Sequence, residues 1–302
     1  MTTGVLLPFP AWLGLREAAD SVARATELVD AVRERMPARP LMIHDLGSGT
    51  GSMLRWLAPR LPGPQHWTLY DRDPDLLSLA VTGAAAGAAP AVRTVTAAPA
   101  VDPAANGAGA MAAAVPVPVT AVDGSPVTVT TRCADLTRLS AADLAGADLV
   151  TASALLDMLT ADEIEQVVAA CAGRPTLFMI SVVGRVRLTP PDPLDAEIAE
   201  AFNEHQRRSV GDRRLLGPDA VTATIAAFTR HGVPVRTRPS PWRLGAEQAE
   251  LTAEWFRGWL AAACEQRPDL AVRSAGYARR RLAEAAAGRL GVVVEHVDVL
   301  AG

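Results

Sequence analysis

Residues Leu41-Met42-Ile43-His44-Asp45-Leu46 form a short apolar run that passes into Gly47-Ser48-Gly49-Thr50-Gly51. A second run, Leu69-Tyr70-Asp71-Arg72-Asp73, follows about twenty residues later, the spacing of a strand, a glycine turn and a second strand closing on acid. Glycines at 47, 49 and 51 let the backbone turn sharply and approach a ligand with no Cβ in the way. A helix opening near Ser52 then aims free N–H groups at that ligand. A carboxylate at the end of the second strand, Asp71, can accept hydrogen bonds from both hydroxyls of a ribose. The pair predicts an open α/β sheet that binds a nucleoside cofactor.

Two cofactors compete for this pattern. A dinucleotide fingerprint places its third small residue at position 52, and Ser52 keeps that reading open. Asp45 separates them: a carboxylate just ahead of the turn repels a pyrophosphate and attracts an ammonium group. The run Asp45-Leu46-Gly47-Ser48-Gly49-Thr50-Gly51 resembles motif I of the class I S-adenosylmethionine-dependent methyltransferases. Tyr70-Asp71-Arg72-Asp73-Pro74-Asp75-Leu76-Leu77 resembles their acidic second-strand motif. The resemblance covers Leu41 to about Val183 and beyond Arg185 rests on strand order. It implies a Rossmann-like, seven-stranded, mostly parallel sheet with an antiparallel last strand, helices on both faces, and S-adenosylmethionine as cofactor. Asp45, Gly47, Ser48, Gly49, Thr50 and Gly51 would then surround the methionine end, Asp71 with Arg72 the ribose, and Asp135 with Leu136 the adenine.

Composition narrows the class. Hydrophobic residues at 49% and charged residues at 21% suit a soluble globular enzyme, read as one domain over residues 1–302. A net charge of −4 supplies no electrostatic footprint for nucleic acid. Cys133, Cys171 and Cys264 lack CxxC spacing, so they read as inert buried thiols with neither a disulfide frame nor a metal site. The absence of a basic leader or a clean apolar span leads to the expectation of a cytoplasmic protein with no membrane partner.

Along the chain, Leu15 to Met36 carries helical spacing and reads as one amphipathic helix, within a helical cap over residues 1–40. Residues 82–125 are rich in Ala, Gly and Pro and read as a flexible insertion. Order resumes with a strand at Pro126–Cys133, then strands at Asp148–Ser153 and Thr176–Val183, with a helix from Asp162 to Cys171 between the last two. The prolines after Val186 mark a loop, Asp195 to Arg208 a helix, and Gly217 to His231 another. Pro234–Leu244 reads as a sixth strand leaving the sheet, with Trp242 just past its end, and Gly291–Leu300 as the antiparallel closing strand. Residues 246–288 read as an extra C-terminal helical insertion whose Trp255, Phe256 and Trp259 fit packing residues, although an insertion here can also roof the active site. Tyr277 and Arg279 to Arg281 read as a solvated helix face.

In an open α/β sheet ligands bind beyond the carboxyl ends of the strands, so Ser153 to Asp157 should line the cleft between cofactor and acceptor. His205 and Asp157 are the candidate proton acceptors, although His205 also fits a surface histidine favoured by a helix C-terminus. Arg207 and Arg208, with Trp242, are candidate acceptor contacts, and a solvated basic helix end explains the arginines equally. A DPPY-type or NPPF-type signature is absent where the fourth strand ends, which favours a small-molecule acceptor methylated on O or N by in-line displacement. The rivals are a non-catalytic S-adenosylmethionine-binding protein, an RNA methyltransferase and an NAD-dependent oxidoreductase.

Overall fold

The computed structural model describes residues 6–86 and 114–302. The chain opens with α1 (Phe9–Ala23) and α2 (Thr26–Arg33), followed by β1 (Leu41–Leu46), α3 (Ser52–Leu57), β2 (Gln65–Asp71) and α4 (Pro74–Ala86). Next come β3 (Val115–Thr120), β4 (Pro126–Cys133), β5 (Leu149–Ser153), α5 (Ala161–Cys171), β6 (Thr176–Thr189) and α6 (Asp195–Gln206). A small hairpin, β7 (Ser209–Val210) and β8 (Arg213–Arg214), precedes α7 (Ala220–Arg230), β9 (Val235–Pro239) and β10 (Trp242–Leu244). The chain closes with α8 (Ala249–Gln266), α9 (Asp269–Arg273), α10 (Ala275–Ala286) and β11 (Gly291–Ala301).

The main sheet runs β10-β11-β6-β5-β1-β2-β4-β3, with β9 also on β11. Strands β4, β2, β1, β5 and β6 are parallel, and β11 runs antiparallel to β6. This is the expected Rossmann-like order with a reversed last strand, enlarged from seven strands to nine because the sixth strand is in two pieces and β3 adds an edge. The central strands are buried on both faces, and so read as unbroken apolar runs. One face packs Leu28, Val29, Met53, Leu54 and Leu77 from α2, α3 and α4. The other packs Ile164, Val167, Val221 and Phe228 from α5 and α7. A third apolar cluster joins α1, α6, α8 and α10 over the extended ends of β6 and β11, so that a helical cap roofs the carboxyl edge of the sheet.

Several expectations are corrected. The helix expected over Leu15–Met36 is two helices, broken at Arg24, which is extended at φ −57° and ψ 132° because the N–H of Ala25 is drawn to the buried Asp298 carboxylate at 2.8 Å. The insertion at 82–125 contains ordered chain at both ends. Helix α4 runs on to Ala86, and β3 pairs antiparallel with β4; the rest of that insertion, residues 87–113, lies outside the described residues. The loop expected after Val186 is strand: β6 continues to Thr189 because β11 supplies partners for its backbone, Leu188 opposite Val292. Val186 and Leu188 there face the cap while Arg185 and Arg187 are exposed, the period-2 signal of a half-buried strand. Trp242 does not trail the sixth strand but opens β10, after a break at Ser240-Pro241. Tyr277 and Arg281 are buried rather than solvated, and Cys133 is exposed.

Candidate cofactor and acceptor site

The glycine turn is built as its composition demands. Gly47, Gly49 and Gly51 all have positive φ, +63°, +52° and +80°. A Cβ on Gly47 would stand 2.9 Å from Leu155 Cδ1, and one on Gly51 3.1 Å from Ala80 Cβ, so both the turn and its packing exclude a side chain. The Gly51 N–H closes the turn on Ser48 O at 2.8 Å, and the Ser48 N–H is held by Tyr70 O at 2.8 Å. Asp71, half-buried at the end of β2, accepts from the Gly49 N–H on Oδ2 at 2.8 Å and from the Asp73 N–H on Oδ1 at 3.1 Å. Each oxygen keeps a further lone pair. Arg72 beside it is exposed, and Thr50 turns its carbonyl to Arg55.

Asp45 is fully buried at the end of β1. Its Oδ1 accepts from Thr151 Oγ1 at 2.7 Å across the β1–β5 register, and its Oδ2 has no partner. Burial pushes this carboxyl up to about 7; the Thr151 bond and the Arg24 charge oppose that shift, and Asp71 adds to it. Arg24 is the residue that the sequence reading missed. It is 3% exposed, its Nη2 donates to Ser153 Oγ at 3.1 Å and Ser52 Oγ at 3.2 Å, and its Nε and Nη1 have no partner. Burial lowers the pKa of this guanidinium while Asp20, Asp45 and Asp298 support its charge. A lone arginine between two helical segments carries no local signal, since its partners come from α3 and β5. The Ser48 hydroxyl is likewise buried and unpartnered. A carboxylate, a guanidinium and a hydroxyl thus meet at one glycine turn with hydrogen-bonding capacity unspent, the reverse of what protein interiors normally show.

Asp135 caps the turn after β4, its Oδ1 accepting from Thr137 N at 3.0 Å and Thr137 Oγ1 at 2.8 Å, and Leu136 is buried behind it. Helix α1 lies across the turn: Leu13 Cδ1 sits 3.3 Å from where a Cβ on Gly49 would be, and Glu17 clamps Arg55 of α3 at 2.6 and 2.7 Å.

On the acceptor side, Asp157 follows β5 in a short 3-10 turn and is half-buried. Burial raises its carboxyl to about 6, against its own backbone N–H and the charges of Arg16 and Arg208. Arg208 donates Nη1 to His205 O at 3.1 Å, and His205 Nε2 stands 3.3 Å from Glu265 Oε2 on α8 without aligned geometry. Arg207 is paired through two nitrogens with Asp219, an internal contact that occupies the fork a ligand would need. Trp242 is buried, donates Nε1 to Asp20 Oδ1 at 2.9 Å, and lies under Arg16 with its ring 5.2 Å from that of His296. His296, also missed, is 3% exposed with Nδ1 unpartnered, and burial beside Arg16 lowers its pKa to about 4. The structure therefore brings Asp45, Ser48, Gly49, Asp71 and Ser153 to one floor and engages Arg207 and Trp242 in contacts of their own.

Strand order, reversed closing strand, glycine turn and an acid closing β2 coincide in one chain. The fold is that of the class I S-adenosylmethionine-dependent methyltransferases. No family model and no curated sequence matches the chain. Among solved structures it is similar to an S-adenosylmethionine-dependent methyltransferase from Geobacter sulfurreducens in complex with S-adenosyl-L-homocysteine, with 16% identity over 98% of this chain and 99% of that one and a TM-score of 0.41. It is also similar to the YcgJ protein of Bacillus subtilis, with 9% identity, 92% and 98% coverage and a TM-score of 0.45. A third is the plantazolicin methyltransferase in complex with S-adenosylhomocysteine, with 10% identity, 95% and 84% coverage and a TM-score of 0.39. Likeness at this level adds nothing to what the strand order already gives. Among the described residues no helix is long and apolar enough to cross a membrane.

Proposed function

We propose that the protein is an S-adenosylmethionine-dependent methyltransferase acting on a small molecule through an O–H or N–H group. The observation that carries this reading is the pairing of unpartnered buried atoms at the glycine turn: Asp45 Oδ2, an acceptor, and Arg24 Nε and Nη1, donors. An α-amino acid zwitterion offers the complement to both, an ammonium for Asp45 and a carboxylate for Arg24. A nucleotide pyrophosphate offers Arg24 a partner but sets its charge against Asp45. Asp71, with one lone pair left on each oxygen, suits the ribose of the same ligand. The residues present therefore fit a ligand that joins a nucleoside to an amino acid.

When bound, S-adenosylmethionine supplies a methyl group already activated on a sulfonium. The chain's contribution is alignment and exclusion of water. Asp45, Ser48 and Arg24 would grip the amino-acid end, Asp71 the ribose, and Asp135 and Leu136 the adenine, while α1 covers the turn. Asp157 is the proton acceptor that we assign to the acceptor. It follows the strand end next to the turn, and its raised pKa suits a base working near neutrality. Arg208, with Nη1 on a backbone carbonyl, and His296 are the further groups able to meet an acceptor.

Isothermal titration with S-adenosylmethionine, S-adenosylhomocysteine and NAD tests the reading. Micromolar binding of the first two and none of the third is expected; binding of NAD alone would replace it with a dinucleotide site. Turnover of no acceptor in a broad screen, with cofactor binding intact, would instead mark a non-catalytic binding protein.

A further inference from the structure

Asp298 lies buried in β11 and accepts hydrogen bonds from three segments far apart in sequence. The Ala25 N–H donates to Oδ2 at 2.8 Å, and the Ile180 N–H and Ser240 Oγ donate to Oδ1 at 2.7 and 2.6 Å. Each donor stands where its element departs from regular geometry. Ala25 follows the break between α1 and α2, Ser240 sits in the break between β9 and β10, and Ile180 carries φ +55° inside β6. A β-branched residue in that region is a true outlier, kept only when its surroundings over-determine it. The β11 ladder itself shifts register ahead of the acid, between Val294 and His296, and again at the acid, between Val297 and Val299, and such irregularities re-aim a side chain. Burial pushes the Asp298 carboxyl up, while its three donors and the Arg24 charge favour the ionised form.

The segment fixed by the first of these bonds matters most. Arg24 immediately precedes Ala25; its φ of −57° and its N–H on Asp20 O at 3.0 Å keep it on the last turn of α1, from which its side chain reaches Ser52 and Ser153 on the site floor. The ψ of 132° turns the chain only after Arg24, and the bond from the next N–H to Asp298 ties that peptide, and with it the end of α1 that carries Arg24, to β11. Resting on the S-adenosylmethionine reading above, we infer that Asp298 is a positioning residue. Without touching the ligand, it anchors the end of α1 from which Arg24 reaches the ligand's carboxylate, and so sets affinity for ligands that carry the amino-acid group.

The test compares S-adenosylhomocysteine with 5′-methylthioadenosine, which keeps the nucleoside and sulfur and lacks the amino acid. Both are titrated into the wild type, Asp298→Asn, Arg24→Gln and the double variant. Asp298→Asn puts an amide N–H against a backbone donor while preserving shape. The expected result is a loss of at least about tenfold for S-adenosylhomocysteine in each single variant, less than about twofold for 5′-methylthioadenosine, and no further loss in the double variant. Equal losses for both ligands, full wild-type affinity in Asp298→Asn, or additive losses in the double variant would overturn the role. Should Asp298→Asn fail to fold, Ser240→Ala removes one of the three donors; it should weaken S-adenosylhomocysteine alone, and unchanged affinity would count against the proposal. Failure of the wild type to bind S-adenosylhomocysteine defeats the cofactor reading itself. Normal wild-type binding with an unaffected Asp298→Asn defeats only this role.

Discussion

Arg24 and Arg281 are both buried guanidinium groups, one on the floor beneath the glycine turn and one in the helical cap, and they are held differently. Arg281 gives Nη1 to Pro190 O and Glu284 Oε2 and Nη2 to both oxygens of Asp195, which also accepts from Tyr277 Oη at 2.7 Å. Arg267 pairs with Glu200 and Glu204, and Arg273 with Glu197, in the same cap. Those charges fasten helices to one another. Arg24 lies over the Trp56 ring and bonds two serine hydroxyls through Nη2, with two nitrogens unpartnered beside an incomplete Asp45. Isolated buried charge costs several kcal/mol, so it persists where a ligand completes it and is otherwise removed or paired. Arg281 also leaves its Nε unpartnered, so what distinguishes the two is the counter-charge: Arg281 bonds two carboxylates and Arg24 none, the difference expected between a charge that fastens helices and one kept for a ligand.

The strongest test of that division is Arg281→Met. Breaking the cap pair leaves Asp195 and Glu284 without their cation and should lower stability by about 3–5 kcal/mol. Chemical denaturation measures the loss, and affinity of the folded fraction for S-adenosylhomocysteine should not change; a weakened cofactor site would break the division. Arg24→Gln should do the reverse. Losing charge-assisted bonds to a carboxylate costs roughly 2–3 kcal/mol of binding, about 30- to 150-fold in Kd, with a melting temperature little changed because the relief of desolvating Arg24 offsets the lost support of its neighbouring carboxylates. A lowered melting temperature with normal affinity would place Arg24 among the structural charges.

Asp45 sharpens the same contrast through pH. Its folded-state pKa of about 7 lies above the ordinary carboxylate value of 3.8, so the unliganded fold binds the extra proton, and its stability falls as pH rises between those two values. Binding of an ammonium needs the ionised form. The Kd for S-adenosylhomocysteine should therefore rise about tenfold for each pH unit below 7, and Asp45→Asn should flatten that profile. A pH-independent Kd in the wild type would detach Asp45 from the ligand. The smallest effect is expected at His205, which stands between Arg208 and Glu265: His205→Ala should change cofactor affinity by less than about twofold, a neighbour-level perturbation.

The legible parts of this molecule are those whose partners are near in sequence. The turn from Gly47 to Gly51 and the acid Asp71 belong to one strand-turn-helix-strand unit, so glycine spacing and an acid at the right distance announce them. The sheet order was legible because β5 and β6 are apolar runs separated by a periodic helix. What escaped was decided by distant contacts. The chain breaks after Arg24 because the Ala25 N–H meets the carboxylate of Asp298, at the far end of the sequence. The extension of β6 past Val186 depends on β11, and the burial of Tyr277 and Arg281 on Asp195 of α6. Helical periodicity sees an arginine run as solvated because it carries no information about an acid on another helix.

The incomplete charges at the turn call for a ligand that joins an amino acid to a nucleoside. A crystal structure of the protein with S-adenosylhomocysteine would show whether such a ligand completes them. The amino group should lie about 3 Å from Asp45 Oδ2, the carboxylate on Arg24 Nε or Nη1, and the ribose hydroxyls on Asp71. A ligand seated elsewhere, or one at the turn that leaves Asp45 Oδ2 and Arg24 unpartnered, would contradict it.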